Sequence, residues 1–117
     1  MAINHVFTGI PVADYEEALA WYERLLGRSP DVIVKDNEAM WQVAETAWIY
    51  VVGDINRAGN ALLTLLVDDL EDYVAKLVER GLATGAIDTV PGVVRKAVII
   101  DREGNMITFG EDLNTDD

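Results

Sequence analysis

The 117-residue chain contains no cysteine and a single histidine, His5. Without thiols it has no disulfides, thiolate zinc sites or cysteine nucleophiles. One imidazole argues against a chain-internal Ser-His-Asp relay and against any site built on two histidines. Basic side chains are also scarce: nine Lys and Arg face 21 Asp and Glu, for a formal charge of -12. A basic footprint for phosphate contacts is missing, so nucleic acid is not an expected partner. The same charge opposes docking on anionic lipid. No apolar run reaches the roughly 18 to 20 residues that span a bilayer, and Met1 to Asn4 has neither a basic nor an apolar leader region. The expectation is a cytoplasmic protein with no membrane partner.

What is present is half apolar, with 50% hydrophobic residues, too many for a disordered acidic tail and enough for one compact domain covering 1–117. The chain also repeats itself. A shift of 55 positions lays Ile10-Pro-Val-Ala-Asp14-Tyr-Glu-Glu-Ala18 over Leu65-Leu-Val-Asp-Asp69-Leu-Glu-Asp-Tyr73. Each copy is a hydrophobic strand end running into an acidic helix start. Asp14 is placed to cap a helix, with Glu17 three residues on as a capping-box partner, and Asp69 and Asp72 repeat the device. Behind the caps, apolar residues recur with helical spacing at Tyr15, Ala18, Leu19, Tyr22, Leu25 and Leu26, and at Leu70, Tyr73, Val74, Leu77 and Val78. Gly27 and Gly81 supply left-handed helix stops.

Strand patterns cover Val6 to Val12, Val32 to Lys35, Met40 to Ala44 and Trp48 to Val52, then Leu62 to Val67, Ile87 to Val90, Val93 to Ile100 and Met106 to Gly110. The turn-rich segments Gly53 to Asn60 and Asp101 to Asn105 connect them. Each copy therefore reads β-α-β-β-β, an α+β fold with module one at about 1–56, module two at about 57–113 and an acidic tail at 114–117. A four-stranded sheet covered by one helix leaves its other face bare. Two modules leave two concave faces, and pairing them creates a cleft.

Val12-Ala-Asp14 followed by Ala18-Leu-Ala-Trp21-Tyr22-Glu-Arg-Leu25-Leu26-Gly27, with Val67-Asp68-Asp69 and Asp101-Arg-Glu-Gly104-Asn105-Met-Ile107, resembles the vicinal oxygen chelate superfamily of glyoxalases, extradiol dioxygenases and bleomycin-binding proteins. The resemblance spans almost the whole chain. It implies paired βαβββ modules and, usually, a homodimer with two clefts. In the family's metal enzymes the ligands are His, Gln or Glu on the first and last strands of each module. The equivalent positions here are Phe7, Tyr50, Leu62 and Thr108, none with a carboxylate or imidazole, so the resemblance implies neither metal nor cofactor.

The candidate ligand-binding set is Phe7, Trp48, Tyr50, Leu62 and Thr108, with His5, Trp41 and Thr64 behind them. Trp48 and Tyr50 share strand parity and one face, whereas the direction of Trp41 is open. The functional reading is an aromatic wall that stacks a flat organic ligand; the alternative is core or interface packing. His5 is on the cleft side only if the first strand reaches it, and is otherwise a strand-end histidine. Thr64 and Thr108 offer hydroxyls to a ligand or are ordinary strand formers. Arg95 faces the cleft or the other side of its sheet, and Glu111 points inward only if the last strand slips. Trp21 and Tyr22 fit the helix core. The leading expectation is a metal-independent small-molecule-binding protein, possible occupants being aromatic or drug-like ligands as in the family's resistance proteins. A glyoxalase-like lyase, isomerase or dioxygenase, and a structural or regulatory dimer with a filled cleft, are the alternatives.

Overall fold

The computed structural model describes residues 2–114. The first module comprises β1 (Val6–Val12), α1 (Tyr15–Leu26), β2 (Val32–Lys35), β3 (Glu38–Ala44) and β4 (Ala47–Gly53). The second comprises β5 (Leu62–Leu66), α2 (Leu70–Glu79), β6 (Asp88–Val90), β7 (Val94–Ile100) and β8 (Met106–Asp112). Each module forms its own four-stranded sheet, ordered β1-β4-β3-β2 and β5-β8-β7-β6. The outer pairs β1–β4 and β5–β8 are parallel, because a helix and two strands intervene before the chain returns. β3 starts two residues earlier than its apolar pattern indicates, since Glu38 still pairs with Val52 on the ladder. β8 likewise runs two residues further, with Asp112 opposite Val94. Of the acidic tail, residues 115–117 lie outside the described residues. Among the described residues no helix is long and apolar enough to cross a membrane.

Strand alternation sorts each sheet into two faces. Ile10 and Val12 on β1, Ala39 and Trp41 on β3, and Ile49 and Val51 on β4 are buried against Ala18, Trp21, Tyr22 and Leu25 of α1. Ala97, Ile99, Ile107 and Phe109 do the same beneath Leu70 and Leu77 of α2, and all these residues form one hydrophobic cluster spanning both modules. The modules therefore meet on their helix sides. Tyr73 of α2 donates its hydroxyl to the Leu25 carbonyl at 2.8 Å, and Arg80 donates to the Arg24 and Leu25 carbonyls at the end of α1.

Both helix caps form as the sequence predicts: Asp14 accepts from the Glu17 amide and Asp69 from the Asp72 amide. Gly27 ends α1 at φ 78°, a left-handed conformation that costs a residue with a Cβ about 1 to 2 kcal/mol. Glu17 does not complete the capping box. Its carboxylate bonds Arg102, and the amides of Ala13 and Asp14 are taken by Glu103 from the β7–β8 hairpin of the other module. The hairpin is held in turn by Asp101 and Asn105, both buried, with Asn105 bonding the Pro11 carbonyl and the Ala61 amide. The motif Asp101 to Asn105 is thus a clasp between modules.

Candidate functional site

With both helices directed into the shared core, the other face of each sheet is open. On the first sheet this concave face carries Phe7, Gly9 and Pro11 of β1 beside Trp48, Tyr50 and Val52 of β4, in direct register as Phe7 to Trp48, Gly9 to Tyr50 and Pro11 to Val52. The register stacks the Phe7 and Trp48 rings, with centroids 5.9 Å apart and planes 19° from parallel. Phe7 is nonetheless 51% exposed, so the stack is a surface and not core. Tyr50 leans across β1 at Gly9. A Cβ on Gly9 would sit 2.6 Å from the Tyr50 ring, so the phenol lies where it does because that strand position has no side chain.

The second sheet presents Leu62, Thr64 and Leu66 of β5 beside Met106, Thr108 and Gly110 of β8. Leu62 is 77% and Leu66 65% exposed, and Thr64 stands directly opposite Thr108. The 55-residue repeat makes Phe7 equivalent to Leu62 and Gly9 to Thr64, and the ladders then set Tyr50, opposite Gly9, against Thr108, opposite Thr64. One concave face is aromatic, the other aliphatic with two hydroxyls.

The structure thus brings Phe7, Trp48 and Tyr50 together on one face and Leu62, Thr64 and Thr108 on the other. It removes Trp41 from the cleft. Trp41 pairs with Ile49 and shares its parity, so its ring is fully buried beneath α1, and its indole N–H donates to the Arg28 carbonyl at 3.0 Å. His5 precedes β1, is exposed and, among the described residues, bonds its neighbour Asn4, so strand parity does not direct it into the cleft. Arg95 faces the helix side, where it pairs with Glu71 at 2.6 Å. Glu111 is held there too, accepting from the Leu70 amide at the start of α2. Trp21 and Tyr22 are core residues.

At the end of the first concave face nearest the linker, Gly9, Pro11, Glu38, Tyr50, Val52, Asp54 and Arg57 line a cavity of about 370 Å³. Glu38 was not among the residues singled out from sequence. It reaches this face because β3 begins two residues early and pairs Glu38 with Val52.

The positions equivalent to metal ligands, Phe7, Tyr50, Leu62 and Thr108, offer a phenyl, a phenol, an isobutyl group and a hydroxyl. That donor set does not fit a divalent cation, which takes imidazole, carboxylate or thiolate. Among the described residues no group of three or more His, Cys, Asp or Glu is placed to hold a metal ion.

Comparison with known proteins agrees with this architecture. The sequence model of the Glyoxalase/Bleomycin resistance protein/Dioxygenase superfamily matches residues 2–109. The chain belongs to this superfamily. A glyoxalase/bleomycin resistance protein from Catenulispora acidiphila DSM 44928 is 38% identical, with TM-score 0.87 over 93% of this chain and 98% of that one. TnmS3, an antibiotic binding protein from Streptomyces sp. CB03234, is 27% identical with TM-score 0.76, covering 96% and 98% of the two chains. A bleomycin-binding protein complexed with bleomycin shares the fold at 16% identity and TM-score 0.75, covering 94% and 99%. None of the curated proteins matches the sequence.

Proposed function

We propose that the protein binds and sequesters a planar aromatic small molecule, of the antibiotic type, in clefts completed by a second copy of the chain, without metal. The observation that carries this reading is the exposed stack of Phe7 on Trp48 beside Tyr50. Aromatic side chains offer roughly 150 to 250 Å² each, and leaving such surface in water is costly unless something covers it. The wall is rigid, since its rings stand on adjacent, hydrogen-bonded strands. It therefore loses little conformational entropy when a flat ligand stacks on it.

The two modules of one chain meet through their helices, so neither concave face covers the other. A homodimer setting the aromatic face of one chain against the aliphatic face of its partner gives two equivalent clefts, each with an aromatic wall and a wall carrying Leu62, Thr64 and Thr108. The superfamily membership and the 27% identity to an antibiotic binding protein support the same class of occupant.

Sedimentation and titration test the reading. The protein is expected to sediment at twice its chain mass and to quench its tryptophan fluorescence saturably with daunorubicin or metal-free bleomycin, one molecule per chain, with chelator changing nothing. A monomer at micromolar concentration overturns the dimer, and the absence of saturable binding of either compound overturns the cleft reading.

A further inference from the structure

The cavity at the linker end of the aromatic face differs from the rest of the wall in having charge at its base. The Glu38 side chain is only 19% exposed, and its cation partner Lys35 stands 3.9 Å away at 62% exposure. Asp54 and Arg57 repeat the arrangement, the carboxylate recessed and the guanidinium outside. Ion pairs whose cation stands in solvent are weak, so the outer cations are readily displaced. Glu38 and Tyr50 line this same cavity, and among the described residues no hydrogen bond engages the Tyr50 hydroxyl. A carboxylate beside an electron-rich ring is the combination that recognises a protonated amine, through a charge-assisted hydrogen bond and a cation–π contact.

We propose that this cavity is a cation subsite of the ligand cleft, in which Glu38 and Tyr50 receive a protonated amine carried by an aromatic body stacked on Trp48 and Phe7. The proposal rests on the aromatic-cleft reading and deepens it by naming the ligand class: planar aromatics bearing a basic amine. It also explains the geometry at Gly9. With a side chain there, Tyr50 could not lie over β1, and the space beside Glu38 would fill.

Daunorubicin, whose amino sugar is protonated at neutral pH, and N-acetyldaunorubicin, which keeps the aromatic body and loses the charge, separate the cation subsite from the aromatic cleft. Wild-type protein is expected to bind daunorubicin about tenfold more tightly. In Glu38→Gln the preference is expected to fall below about twofold, because daunorubicin weakens while the acetylated compound is unchanged. Tyr50→Phe, which removes only the hydroxyl, is expected to retain most of it. Equal binding of both compounds by the wild type overturns the subsite and leaves the aromatic cleft standing. A preference that survives Glu38→Gln but disappears in high salt assigns it to the overall charge of -12 and also overturns the subsite. Binding of neither compound removes both readings together. Unfolding midpoints of both variants within a few degrees of wild type keep the comparison clean.

Discussion

Tyr22, in the middle of the first helix, donates its hydroxyl to Asp101 at 2.7 Å, across 79 residues of sequence. Asp101 also accepts from the side chain of Asn105 and from the amides of Glu103 and Asn105, so one buried carboxylate gathers four donors from two modules. The bond ties the first helix to the β7–β8 hairpin of the other module. Removing the phenol oxygen leaves a buried acceptor short of a donor, at a cost of about 1 to 2 kcal/mol. Tyr22→Phe is therefore expected to lower the thermal midpoint by several degrees. Calorimetry checks this, and a midpoint within one degree of wild type would show that the clasp is not energetically tied to Tyr22.

The same residue gives the protein an alkaline limit. Burial, first, and then the hydrogen bond and charge of Asp101 raise the Tyr22 pKa far above its ordinary value near 10. A group whose pKa is raised on folding contributes stability that is complete below the unfolded pKa and is lost as pH rises beyond it. Stability measured by urea unfolding is thus expected to hold through neutral pH and fall above about pH 10. Tyr73, raised chiefly by burial, adds to the slope. Tyr22→Phe should show a shallower decline over that range; parallel curves for the two proteins would refute the assignment.

Much of this architecture is legible in the sequence, and its gaps have physical causes. The repeat, the Asp14 and Asp69 caps and the glycine at 27 are local features, written within a few residues, and the structure reproduces them. The common face of Trp48 and Tyr50 follows from parity alone. The direction of Trp41 does not, because β3 and β4 change register between Gln42 and Ala44, and no local pattern encodes that irregularity. Glu103 displacing Glu17 at the Asp14 cap is a contact across 89 residues, beyond any local motif. Glu38 was missed because a charged residue at a strand start reads as turn. Gly9 carried a usable sign, a glycine inside an otherwise β-branched and apolar strand, which marks close approach of another group.

Gly9→Ala tests that approach. Its new Cβ would lie 2.6 to 2.8 Å from three atoms at the far end of the Tyr50 side chain, which can rotate away without moving the backbone. Little stability should be lost, on the order of 1 kcal/mol, well below the cost of a core change. The binding surface, in contrast, loses its third ring. Daunorubicin affinity is expected to drop severalfold in Gly9→Ala while the unfolding midpoint moves little; unchanged affinity would show that the placement of Tyr50 over β1 is irrelevant to the ligand.

The two β-sheet tryptophans, finally, should fail in different ways. Trp41 is fully buried beneath α1 with its indole N–H satisfied by the Arg28 carbonyl. Trp41→Ala leaves a large cavity and an orphaned carbonyl, costing about 3 to 5 kcal/mol, and much of the protein should be unfolded or molten near its working temperature. Trp48 lies partly open on the concave face, stacked on a half-exposed Phe7. Trp48→Ala should cost about 1 kcal/mol or less in an isolated chain, because the ring is not enclosed. It removes the main stacking surface, so the affinity for daunorubicin should fall by about 1 to 3 kcal/mol, tenfold to more than a hundredfold. Urea unfolding of both variants, with a titration of the folded Trp48→Ala protein, decides the matter. A Trp48→Ala protein that is severely destabilised, or that is folded and binds as tightly as wild type, would remove Trp48 from the ligand wall and with it the observation on which the binding function rests.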